Sequence, residues 1–143
     1  MIIPESEYHL IFNCQAIKEL WEDINPILRQ IDERMVTKEE MAFGISGNTA
    51  KIRLRNWLTL LIRECILEQE SIAYKNNLGL LNIREIRIKY KVKMKEQILT
   101  SYRFHKNNNT MQFFKLIYCA VGTFLKYDDD IEHFTLPNIF PNL

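Results

Sequence analysis

Apolar residues recur at three- and four-residue steps through most of this chain, the spacing of amphipathic helices. From Gln15 to Ile24, the residues Ala16, Ile17, Leu20, Trp21 and Ile24 share one face and acidic residues line the other. Pro26 has no backbone donor and crowds the preceding turn, but it is well suited to start a helix. A second short helix over Pro26 to Met35, or a kinked continuation of the first, is expected there. Thr37 with Glu40 three residues later reads as a capping box for a short segment ending at Phe43, and a turn over Gly44 to Gly47 follows. From residue 49 to 74 the apolar stripe is wide. It contains Ala50, Leu54, Trp57, Leu58, Leu61, Cys65 and Ile72, with Leu60, Ile62, Ile66 and Leu67 beside it. Such breadth predicts a central helix buried on more than one side. Cys65 falls inside the stripe and reads as a core thiol.

Asn76, Asn77 and Gly79 interrupt the pattern. Beyond them Ile86, Ile88, Tyr90, Val92 and Met94 alternate with basic residues, as in a half-buried strand. The same stretch also gives Ile83, Ile86, Tyr90, Met94, Ile98 and Tyr102 at helical spacing. Length decides between them, because a strand of this extent would be abnormal, so one long helix is expected. Asn107, Asn108 and Asn109 should end it. Thr110 should cap a last helix carrying Met111, Phe114, Leu116, Ile117, Val121, Phe124 and Leu125. The fold expected is all-α, a single irregular bundle of about four or five helices. Residues 15–127 would form the helical domain and 128–143 an irregular acidic tail, with 1–14 as a separate leading segment.

Composition narrows the function classes. At 143 residues and 47% hydrophobic content the chain suits one domain with its own core. Three cysteines at 14, 65 and 119 make no disulfide framework and point to a reducing, intracellular setting, cytoplasmic or nuclear. The run Trp57 to Ile62 is far too short to span a bilayer, so no membrane partner is expected. Four glycines leave little material for phosphate loops. His9, His105 and His133 lie far apart in sequence, and no nucleophile elbow or metalloprotease motif accompanies them. Asp128, Asp129 and Asp130 read as a solvated acidic run.

Charge changes this picture. Residues 1–35 hold three basic and seven acidic groups, a net of −4. Residues 81–106 hold eight basic and two acidic groups, a net of +6. Read as a helix, the basic block sets Arg84, Arg87, Lys91 and Lys95 along one edge. Such a ridge suits the phosphates of RNA or DNA, with Tyr90 or Tyr102 as candidate stacking partners. A solvated face balanced by the acidic first segment is the competing reading, and core packing is the competing role for both tyrosines.

One short motif is more pointed. His9-Leu10-Ile11-Phe12-Asn13-Cys14 separates an imidazole from a thiol by four residues, a spacing that can fill two corners of a zinc tetrahedron. The run Glu5 to Cys14, followed by Ile17, Leu20 and Trp21, resembles the zinc-binding segment that follows the polymerase domain of LINE-type (non-LTR) retrotransposon reverse transcriptases. Asn56-Trp57-Leu58-Thr59-Leu60-Leu61-Ile62 is similar to that family's "N-W-L-L-L" helix, and a basic helix follows in both. The resemblance covers Glu5 to Tyr127. It implies that His9 and Cys14 are the last two ligands of a Cys-Cys-His-Cys site whose CxxC pair is absent here. No cofactor is therefore expected, zinc requiring the missing pair. The family's polymerase aspartates lie upstream and have no counterpart. The chain is thus expected to be a C-terminal fragment, begun at an internal Met, that acts as a nucleic-acid-binding accessory region and not as an enzyme. Two alternatives stand beside this reading. One is a helical protein-interaction module, docking or self-associating through its central helix or its Trp21 surface. The other is a degenerate fragment without activity.

Overall fold

Pro26 does not end the first helix. In a computed structural model, which describes residues 15–75, 82–119, 124–128, 130 and 133–135, α1 runs unbroken over Gln15–Ile31 with Pro26 inside it. Ile17, Leu20, Trp21, Ile24, Leu28 and Ile31 are all buried on one side of α1. That continuous stripe outweighs the cost of one missing backbone hydrogen bond at the exposed Pro26. Trp21 is only 4% exposed, so it is a core residue and not the docking surface considered above.

α2 (Lys38–Phe43) begins as its capping signal predicts, with Thr37 Oγ1 accepting from the Glu40 amide at 3.2 Å. The second half of the capping box is diverted, because the Glu40 carboxylate faces Arg55 instead. Gly44 closes α2 at φ +80°, donating its amide to the Glu40 carbonyl. α3 (Ala50–Lys75) is the central element, and α1, α2 and the two later helices all pack against it. Leu54, Leu58, Leu61, Ile62, Cys65 and Ile66 are buried along it. Each large aliphatic side chain among them contributes about 1.5–3 kcal/mol of burial. Burial pushes the Cys65 thiol up to about 11, as befits a residue of the core.

α4 (Ile83–Asn107) resolves the ambiguous segment as helix. Asn82 caps it, its side chain accepting from the Glu85 amide at 3.2 Å. Ile86, Tyr90, Met94 and Ile98 are buried, whereas Ile88 and Val92, which a strand would have placed on the same face as them, are exposed. α4 ends in a Schellman arrangement: the Thr110 amide donates to the His105 carbonyl and the Asn109 amide to that of Lys106. Asn109 supplies the left-handed residue, at φ +55°. α5 (Met111–Tyr118) then packs against α4 and α3. Thr110 precedes α5 without a side-chain cap bond, its hydroxyl lying 2.8 Å from His105 Nδ1 instead.

Two expectations need correction at the C-terminal end. The last helix ends at Tyr118, so Phe124 and Leu125 enter the core from outside it. The acidic tail is not wholly irregular, because β1 (Lys126–Asp128) pairs antiparallel with β2 (His133–Thr135), Tyr127 opposite Phe134. Phe134 anchors this ribbon by packing its ring 5.6 Å from Phe114 and 5.0 Å from Tyr102. Strands of three residues are too short to carry a periodic signal. Apart from this ribbon the described residues form an all-α fold with one core cluster. Among them no helix is long and apolar enough to cross a membrane.

Candidate nucleic-acid interface

The basic segment becomes a continuous helix of 25 residues, about 37 Å long at the α-helical rise. Its buried stripe faces α3, which forces its cations toward the flanks and the solvent side. Arg84, Lys95 and Lys106 are exposed and lie eleven residues apart, close to three full turns, so they share one edge. Lys91, half-buried, lies along the same edge one turn before Lys95. Neither Arg84 nor Lys95 forms an ion pair with another described residue.

Arg87 does not belong to this row. It turns toward α1, where its Nη2 donates to Asp23 Oδ2 at 2.6 Å. On the opposite flank Lys93 donates to Glu68 of α3 at 2.6 Å, and Lys89 lies 3.9 Å from the same carboxylate. The Lys93 bond holds the Glu68 carboxyl below its ordinary range and raises the Lys93 amine. Among the described residues, Arg87, Lys89 and Lys93 thus already face acids of the chain. The sequence could not reveal these pairings, because Asp23 and Arg87 are 64 positions apart.

Tyr90 is a core residue, 1% exposed, with its hydroxyl donating to the Leu58 carbonyl at 3.3 Å. Burial raises its phenol far above the ordinary range. Stacking on a base is therefore ruled out for it. Tyr102 is different. It is half-buried, edge-on to Phe114 and Phe134, with Lys106 Nζ 5.6 Å from its ring centre. It therefore stands at the C-terminal end of the exposed cationic edge.

Arg55 is the residue whose role the sequence concealed. It counts among the cations, yet it is 0% exposed and reaches no solvent. Its Nε and Nη2 grip the Glu40 carboxylate, Nη2 at 2.8 Å from Oε2. Nη1 donates to the carbonyls of Leu28 and Asp32, and Nη2 also to that of Arg34. One guanidinium therefore bonds a carbonyl in the last turn of α1, two carbonyls of the linker after it and the carboxylate of α2. Arg63 extends the pattern by donating to the carbonyls of Glu40 and Met41.

The residues of the family-like stretch have structural duties of their own. Asn56 clamps Ile45 at two points, accepting from its amide at 2.7 Å and donating to its carbonyl at 2.9 Å. Trp57 donates from Nε1 to Gln97 at 2.6 Å and meets Tyr118 edge-on at 5.4 Å. Beside Trp57, α3 and α5 enclose an apolar groove of about 420 Å³. Phe113, Leu116 and Ile117 line it while remaining 46–59% exposed.

His9 and Cys14, the half-site for zinc, lie outside the described residues. Among the described residues no group of three or more His, Cys, Asp or Glu side chains could hold a metal ion. Set against protein-family models, curated proteins and solved structures, the chain matches none of them, so the likeness to reverse-transcriptase C-terminal regions rests on the residues quoted above.

Proposed function

We propose that this domain is a non-catalytic nucleic-acid-binding accessory region of the kind found at the C-terminal end of non-LTR retrotransposon reverse transcriptases. The observation that carries the reading is the edge of α4 bearing Arg84, Lys91, Lys95 and Lys106 on an uninterrupted helix. Clustered cations on a rigid rod release counterions when they meet phosphates, and binding of that kind is strongly salt-dependent. Arg87 serves this reading only indirectly, since its pair with Asp23 fixes α4 against α1.

Charge reversal tests the proposal. Replacing Arg84 and Lys95 together by Glu should abolish binding to short RNA or DNA at low salt. Arg87→Glu should act mainly on folding. For the unaltered chain, log affinity should fall linearly with log salt, at a slope of about −0.9 for each duplex phosphate neutralised. Binding that ignores both salt and the double reversal would remove the reading.

A second reading, self-association, is favoured by one observation: the apolar groove at Phe113, Leu116 and Ile117. Light scattering across a concentration series separates the two. Salt-independent dimers that Leu116→Glu dissociates would support self-association, whereas a monomer that binds nucleic acid supports the first reading.

A further inference from the structure

The turn between α4 and α5 encloses a second recess, of about 390 Å³, whose lining is polar and aromatic. Tyr102, Lys106, Asn109, Gln112 and Tyr127 contribute to it. The recess adjoins the cationic edge of α4, because Lys106 belongs to both. Its geometry is fixed by local rules. The Schellman bonds after Asn107 turn the chain, and Asn109 holds the left-handed position at φ +55°. His105 ties the turn to Thr110 through a 2.8 Å contact. Tyr127 is brought in by the ribbon, paired with Phe134, whose ring meets that of Tyr102 edge-on.

These groups make a combination that an ion or an apolar ligand would not need. The phenol rings of Tyr102 and Tyr127 border the recess. The amides of Asn109 and Gln112 offer both donors and acceptors, the complement of a base edge. Lysines stand over both rings, Lys106 at Tyr102 and Lys115 4.7 Å from the centre of Tyr127. We propose that this recess receives one unstacked base of a single-stranded nucleic acid, RNA or DNA, whose backbone runs along the Arg84–Lys95–Lys106 edge. Stacking on aromatic side chains beside a cationic track is how sequence-tolerant single-strand binders hold their ligands. A paired base cannot enter, since its edge is occupied and its faces are stacked. The inference rests on the cationic-edge reading and adds a preference that the edge alone would not have.

The test compares oligo(U), oligo(dT) and a DNA duplex of equal length at low salt, using the full chain. The single strands should bind about tenfold more tightly than the duplex. Asn109→Gly keeps the backbone conformation while deleting the amide, and Gln112→Ala alters an exposed position. Together they should erase the single-strand preference and leave duplex affinity unchanged. Tyr127→Leu should do the same, with circular dichroism establishing that it folds. Single-strand binding that survives these changes but is lost with Arg84→Glu and Lys95→Glu would overturn the recess and leave the edge intact. Failure to bind any of the three ligands would overturn both.

Discussion

Gly44 shows how one residue can decide a local arrangement. At φ +80° an L-side chain is strained, and a Cβ built there would lie 2.8 Å from Asn56 Oδ1. That oxygen is already committed to the Ile45 amide. Gly44→Ala should therefore cost about 1–3 kcal/mol through backbone strain and displacement of the Asn56 clamp. Urea unfolding checks this, and a variant as stable as the parent would mean that the loop relaxes freely. Asn56 itself was visible in the sequence only as part of a family-like string. Its partner lies eleven residues upstream across a turn, and no spacing rule specifies that contact.

At the scale of elements, α4 is joined to its neighbours by ion pairs on two flanks. The Glu68 carboxyl is lowered, so its contribution to stability is complete above its unfolded value near 4.5 and is lost as pH falls through the folded value. Lys93 is raised, so its contribution is complete below its unfolded value near 10.5 and is lost as pH rises through the folded one. The pair thus acts across the whole neutral range. Both groups are partly exposed, which limits the pair to about 0.5 kcal/mol. Glu68→Gln should lower stability by that amount at pH 7, and the gap should close well below pH 4. A gap that persists in acid would show that the variant acts through something other than charge. The helical identity of α4 was legible because its buried stripe continues past the length of any ordinary strand. The last helix was overextended because Val121, Phe124 and Leu125 keep helical spacing, while Phe124 and Leu125 reach the core by another route.

Considered as a whole, the molecule is held at its N-terminal half by Arg55. Removing one partner of a buried ion pair leaves an uncompensated charge, which typically costs about 3–5 kcal/mol. Arg55→Met also removes the donor to the carbonyls of Asp32 and Arg34, while that of Leu28 keeps the Asp32 amide, so the loss should reach at least the upper part of that range. Adding Glu40→Met should recover only part of it, because the carbonyls of Asp32 and Arg34 still lack their donor. Thermal unfolding of the single and double variants measures this, and full recovery in the double variant would show that the carboxylate alone makes Arg55 necessary.

The helical class, the breadth of the α3 stripe, the start of α2 at Thr37 and the identity of α4 followed from the order of residues alone. Each depends on interactions within a few positions, where 3.6-residue periodicity and capping chemistry act directly. Burial of Arg55, the pairing of Arg87 with Asp23, burial of Tyr90 and the recess at Tyr102 and Tyr127 emerged only when distant segments met. A charge or a ring acquires its role from what surrounds it, and those surroundings are assembled by packing between segments that lie many residues apart in the chain.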